Sequence, residues 1–198
     1  MSSALPSPAE LLEEIAAQVR GCTRCPLCQT RSNAVPGEGP IGTLLAFIGE
    51  APGADEDEQG RPFVGKSGQL LREAIRDAGL AESDVFIGNV LKCRPPGNRD
   101  PLPEEMEACR SYLFAQLAIL QPRMIVTVGR ISMDLLIKPG LKITQYRGQH
   151  IRRNGQSFMP IYHPSYVLRN RNTDIERDFR RDIVVARKLA EQAAAGGA

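Results

Sequence analysis

A chain of 198 residues suffices for one domain with a sizeable core and is short for two ordinary ones. Its formal net charge of +2, with 24% charged residues, gives no overall polybasic signal, so any nucleic-acid contact must come from a local patch. No run reaches the ~20 apolar residues of a bilayer span, and the start lacks the basic and apolar stretches of a secretory signal; an intracellular, cytoplasmic protein with no membrane partner is expected.

The first element in chain order is a helix. Ser7 suits an N-cap, Pro8 the first helical position, and Glu10 can reach back to close a capping box. Leu11, Leu12, Ile15 and Val19 then share one face, so residues 1–21 are expected to form an amphipathic helix docked on the body of a single domain covering 1–198.

Next comes a compact Cys22-x2-Cys25-x2-Cys28 run, with Cys93 and Cys109 far downstream. Five cysteines in a reducing compartment are poor disulfide candidates, and their clustering points to a metal. Four thiolates can close a structural zinc site or hold an iron-sulfur cluster. Wide spacing of the second pair, with Pro101 and Pro103 between them, suits a peptide wrapped round a larger object such as a cluster. Cys109 shares a helical face with Met106, Leu113 and Leu117, so an ordinary buried cysteine is the alternative there. Cys28 remains a spare whose spacing does not exclude it.

Four apolar runs then read as strands: Leu44 to Ile48, Val85 to Val90, Met124 to Val128 and Phe158 to Tyr162. Helical patterns fall between or after them, near Gly68 to Ala78, Pro103 to Leu120, Arg130 to Ile137 and Asp174 to Ala190. This alternation predicts an α/β fold with a mainly parallel sheet covered on both faces. Residues 138–158, punctuated by Gly140, Gly148 and Gly155, interrupt the alternation and have room for a hairpin. The small-residue stretch 193–198 is expected to fray.

Loops at the carboxyl ends of strands carry the chemistry, because open α/β sheets bind ligands there. Gly49-Glu50-Ala51-Pro52-Gly53 follows the first strand and leads through Asp55-Glu56-Asp57 into Gly60-Arg61-Pro62-Phe63-Val64-Gly65-Lys66-Ser67-Gly68. Gly60 to Ser67 formally matches the phosphate-binding pattern Gly-x4-Gly-Lys-Ser, but Pro62, Phe63 and the acidic approach argue against triphosphate. Phe63 is either core or a stacking plate for a flat ligand. Asn89 ends the second strand, where it is either a turn residue or an amide that reads one donor and one acceptor on a base edge. His163-Pro164-Ser165 follows the fourth strand, in position to face the first loop, while His150 reads as a surface residue.

Taken together, these motifs resemble the family 4 uracil-DNA glycosylases, the iron-sulfur branch of the uracil-DNA glycosylase superfamily. The carriers are Cys22-x2-Cys25, Gly49 to Gly53, Gly60 to Gly65, Asn89, Lys92-Cys93-Arg94-Pro95-Pro96 with Asn98-Arg99, Cys109, and His163-Pro164-Ser165-Tyr166. The resemblance implies a three-layer α/β/α fold with a central four-stranded mainly parallel sheet. It implies a [4Fe-4S] cluster on Cys22, Cys25, Cys93 and Cys109, without Cys28. It also implies that Glu50, Ala51 and Pro52 line a uracil pocket in which Phe63 stacks, Asn89 reads the base edge and His163 reaches O2.

Many relatives in the superfamily place an Asp where Ala51 stands and use it to position the attacking water. Glu50 is the first candidate for that role here, Glu56 the second, and Asp57 an alternative. Covalent uracil-binding relatives carry an Arg-rich loop with a reactive His; Pro95 to Arg99 holds none, so turnover is expected. Val167 and Leu168 either wedge into the vacated base stack or face the core. Arg94, Arg99, Arg169 and Arg171 are candidate phosphate contacts. The expected partner is uracil-containing DNA, acted on by a monomer with no small-molecule cofactor beyond the cluster. A colourless, non-enzymatic zinc-binding nucleic-acid module and a nucleotide hydrolase are the rival readings.

Overall fold

The computed structural model describes residues 5–195. A first helix, α1 (Pro8–Arg20), opens with the capping box: the Ser7 hydroxyl accepts from the Glu10 N–H, and the Glu10 carboxylate accepts from the Ser7 N–H at 2.7 Å. Residues 1–4 of the expected 1–21 helical segment lie outside the described residues.

Four strands, β1 (Leu45–Gly49), β2 (Val85–Asn89), β3 (Met124–Val128) and β5 (Gln156–Ile161), form a parallel sheet. A fifth, β4 (Ile151–Arg153), pairs antiparallel with β5, giving the order β2-β1-β3-β5-β4. The sheet therefore has five strands rather than the four expected. The extra strand is one arm of a hairpin within 138–158, turning at Asn154 and Gly155, and its exposed Arg152 and Arg153 keep that edge polar.

Both faces of the sheet are covered, which is why the strands read as unbroken apolar runs. Leu45, Phe47, Met124, Val126, Val128, Met159 and Ile161 face one core, and Ala46, Ile48, Phe86, Ile125 and Phe158 face the other. On the first side pack α3 (Lys66–Asp77), α7 (Pro164–Leu168) and α8 (Asp174–Ala195), the last through Phe179, Ile183, Ala186 and Ala190 at helical spacing. The second side is covered by α4 (Pro103–Leu120), with α1 against it, and α5 (Arg130–Leu136). Each fully buried Leu, Ile, Val or Phe in these layers contributes about 1.5–3 kcal/mol relative to exposure.

Two short helices complete the chain, α2 (Ala54–Gln59) and α6 (Ile143–Tyr146). The first was expected as loop. At the other end, α8 continues through Ala195, so residues 193–195 are helical rather than frayed, while 196–198 lie outside the described residues. Among the described residues no helix is long and apolar enough to cross a membrane.

Strand order reverses at β1, which has β2 on one side and β3 on the other. The carboxyl ends of β1, β2, β3 and β5 deliver Glu50, Asn89, Gly129 and His163 to that crevice.

Candidate functional site

A cleft of about 650 Å³ opens at these strand ends. Glu50, Ala51, Pro52, Phe63, Asn89 and His163 all line it, so the two loops that are far apart in sequence share one site.

The first loop is held by an unusual carboxylate. Glu56, buried at 8% exposure, accepts from the Val64 and Gly65 N–H groups at 2.8 and 2.9 Å through one oxygen, and from the Gly53 N–H at 3.1 Å through the other. The Gly53 N–H opens α2, while the Val64 and Gly65 N–H groups stand at the start of α3, where a phosphate-binding loop would direct them at its anion. The carboxylate occupies that position and leaves the nucleotide-hydrolase reading without an anion site. Glu56 itself lines the cleft, but three of the roughly four acceptor positions of its carboxylate are already engaged by the backbone. Asp57 is engaged likewise, accepting from the Ser32 N–H at 3.0 Å and from the Asn33 N–H at 3.4 Å.

Between these anchors Phe63 adopts φ 54°, the left-handed region that non-glycine residues rarely enter. Such a conformation costs on the order of 1–3 kcal/mol and persists only when its surroundings over-determine it. Arg72 supplies that constraint, donating to the Phe63 carbonyl at 2.9 Å and to the Pro62 carbonyl at 2.7 Å while pairing with Glu38 and Glu82. Gly68 lets α3 pass so close that a Cβ there would overlap the Phe63 backbone. The ring is 6% exposed, part of the core and part of the cleft wall.

Phe63 and Asn89 meet at Gly49. A Cβ added there would stand 2.5 Å from both the Asn89 Oδ1 and the Phe63 Cζ. Asn89 is 2% exposed, and its Oδ1 has no hydrogen-bond partner. A buried amide oxygen without a donor costs roughly 1–3 kcal/mol. Asn89 thus lines the cleft with this oxygen buried and without a donor.

His163 caps α7. Its Nδ1 accepts from the Ser165 N–H at 3.2 Å and lies 2.7 Å from the Ser165 hydroxyl. A backbone N–H can only donate, so Nδ1 carries the lone pair and Nε2 the proton. Burial, with a smaller contribution from Arg169, pushes the imidazole pKa down to about 4. At neutral pH the cleft therefore contains an uncharged Nε2–H donor.

Glu50 is half-buried in the same cleft. Burial raises its pKa, Asp100 raises it further, and Arg130 opposes both. Arg130 is ion-paired to Asp100 at 2.7 Å and also lines the cleft. Neither residue was picked out from the sequence, where an Arg opening a helix and an Asp in a Pro-rich loop carry no distinguishing pattern.

Other expected contacts divide sharply. Val167 is fully buried in the core beneath α7 and is not placed to leave it as a wedge, whereas Leu168 is only partly buried against the same core. Arg99 is engaged by the buried Glu105 in a bidentate pair at 2.9 and 2.6 Å. Arg94 donates to Asn98 at 2.7 Å, and Asn98 borders the cleft. Arg169 is exposed at the cleft rim. Tyr162 and Tyr166 also line the cleft and were passed over from sequence as a strand end and a motif neighbour.

All five cysteines border a second, small cavity, with Arg24, Arg31, Lys92 and Tyr112. None forms a disulfide. Arg31 donates to the Cys93 sulfur at 3.0 Å and the Lys92 backbone N–H to the Cys109 sulfur at 3.3 Å. The Lys92 ammonium is fully buried, donating to the Pro36 carbonyl and the Gln116 amide oxygen. Burial pushes the Cys109 thiol up to about 11 and raises Cys93 and Cys25. Among the described residues no group of three or more Cys, His or carboxylate side chains is arranged to hold a single metal ion. Ala51 of the cleft packs against the apolar cluster formed by Val19, Leu27, Leu91, Cys93, Cys109 and Tyr112.

Fold and cleft define a three-layer α/β protein with its site at the switch point of the sheet. A model of the uracil DNA glycosylase superfamily matches residues 36–184. Among curated relatives, a Type-4 uracil-DNA glycosylase of Thermotoga maritima is 43% identical over 92% of this chain and 96% of its own length. Those of Pyrobaculum aerophilum and Sulfurisphaera tokodaii are 43% and 44% identical, over 88% and 86% of this chain and 92% and 82% of their own lengths. The chain belongs to the uracil-DNA glycosylase superfamily.

Proposed function

We propose that this protein is a DNA repair glycosylase that takes a flipped uracil into the cleft, hydrolyses its N-glycosidic bond and leaves an abasic site. The observation that carries the reading is the unpaired Asn89 Oδ1, converging with the Phe63 ring above Gly49 in a cleft shared with the His163 donor. Oδ1 accepts from uracil N3–H, and the amide N–H₂ donates to O4. Cytosine presents the opposite pattern and would leave both groups buried and unmatched.

Bond cleavage sends the N1–C1′ electron pair into the uracil ring, where negative charge collects on O2. The His163 Nε2–H is aimed at that oxygen. Pro52 has no N–H and the Gly53 N–H is taken by Glu56, so the Ala51 N–H is the loop donor that remains. Water adds to C1′ and gives a proton to the Glu50 carboxylate. Glu50 takes this role by elimination: Glu56 and Asp57 hold the loop and act as positioning residues. Arg94 and Arg169 contact DNA phosphate.

The second cavity suits a [4Fe-4S] cluster on Cys22, Cys25, Cys93 and Cys109. Thiols set round a cavity, rather than meeting at one point, suit a cluster better than a single ion, and the Arg31 and Lys92 N–H groups are placed to stabilise thiolate sulfur. When bound, the cluster supplies cross-linking of the 22–31 segment, the loop after β2 and α4. The chain acts as a cytoplasmic monomer with one domain over 1–198; free cysteines fit a reducing compartment.

Oligonucleotides carrying a single U, T or C, incubated with the protein and then treated with alkali, test the function directly. Strand breaks at U alone are expected; breaks at none of the three would end the proposal. Asn89→Asp should lower uracil excision roughly 10–100-fold, the range of one mismatched buried hydrogen bond, and admit some cytosine. An unaltered U-to-C preference in that variant would count against edge reading.

A further inference from the structure

Resting on that reading, we infer that Tyr166 forms a second nucleobase subsite, stacking on a base next to the flipped uracil. It is among the few large side chains left open to solvent, at 37% exposure, and it stands on the cleft wall. A residue that merely fills the core between α7 and α3 would resemble Val167, its neighbour, which is fully buried.

Tyr166 also packs on a second aromatic ring. Its ring lies 5.3 Å from the buried ring of Tyr162 at an interplanar angle of 55°. Tyr162 in turn lies under the Arg147 guanidinium, 5.7 Å from the ring centroid, and Arg147 is fixed by ion pairs to Asp182 and, at 2.9 Å, to Asp178. This chain runs from α8 to the cleft mouth. A ring ordered before the ligand arrives loses little conformational freedom on binding. A tyrosine ring is apolar and flat, and base stacking on aromatics tolerates any base.

Position relative to the chemistry fits. The Tyr166 N–H donates to the His163 carbonyl at 2.9 Å, so the ring begins the first turn after the imidazole. Arg169, one turn further and exposed, is then placed to reach the phosphate that joins the two nucleotides.

Single-uracil oligonucleotides whose 5′ or 3′ neighbour is replaced by a base-free spacer provide the test, in wild type and in Tyr166→Ala and Tyr166→Phe. In wild type, one of the two spacers should raise KM roughly 5–100-fold with kcat nearly unchanged. Tyr166→Ala should show that raised KM on intact substrate and gain no further loss from the spacer. Tyr166→Phe, which keeps the ring face, should behave as wild type. A spacer effect that persists undiminished in Tyr166→Ala, or a Tyr166→Ala enzyme with wild-type KM, overturns the subsite. Absence of uracil release by the wild type would instead be failure of the proposed function.

Discussion

Replacing His163 with alanine should lower the single-turnover rate of uracil release by about 10²–10³-fold, the usual effect of deleting one preorganised donor to a developing anion. Affinity for uracil-containing DNA should change by only a few-fold, because O2 gains most of its charge in the transition state. The donor is preorganised by the Ser165 contacts to Nδ1, which set the tautomer before substrate arrives. Near-normal single-turnover cleavage by His163→Ala would remove the imidazole from the mechanism.

The same geometry sets a pH signature. With a pKa of about 4, His163 remains neutral as pH falls from 8 to 5, so the donor itself contributes no titration in that window. In its proposed role Glu50 must be ionised to accept a proton. Burial raises its pKa, so the carboxylate is lost earlier on acidification than an exposed glutamate would be. Activity should decline on the acid side, and Glu50→Gln should abolish that limb together with most of the rate. A limb that survives in Glu50→Gln would belong to another group.

Much of the architecture was legible because burial on both sheet faces leaves a strong imprint. Leu45 to Ile48 alternate between two cores, yet every one is apolar, so the run stands out whatever its register. β4 left no such imprint: three residues long and mostly exposed, it exists through pairing with β5. Helix α2 has the sequence Ala-Asp-Glu-Asp-Glu-Gln, without apolar periodicity. Its acids looked like catalytic candidates because a sequence does not record where backbone N–H groups point. Glu56 is explained only by the three N–H groups that surround it.

Site residues followed the same division. Strand ends located Asn89 and His163 because sheet topology dictates where strand ends gather. Arg99 and Val167 sat in plausible loops, but Glu105 and the core beneath α7 claim them. Arg99 has a long side chain that selects Glu105 among its neighbours, and Val167 is turned inward by the core beneath α7; packing rather than local pattern decides both.

Removing the proposed cluster should have the largest effect on stability. Cys93 and Cys109 are buried beside Val19, Leu27, Leu91 and Tyr112, and this small core carries the 22–31 segment on little apolar surface of its own. Metal binding of this kind contributes folding free energy directly. Cys109→Ser should lose iron and visible absorbance and, at ~2–4 °C per kcal/mol for a chain of this size, lower Tm by about 10–20 °C. Limited proteolysis should then cut within 22–31, and excision should fall because Ala51 packs on the same core. Cys28→Ser should retain both colour and iron, since that thiol borders the cavity without being assigned as a ligand. The two variants separate cluster loss from general damage to the cavity wall. A colourless wild-type protein containing zinc would overturn the cluster, and iron loss in Cys28→Ser equal to that in Cys109→Ser would overturn the ligand set.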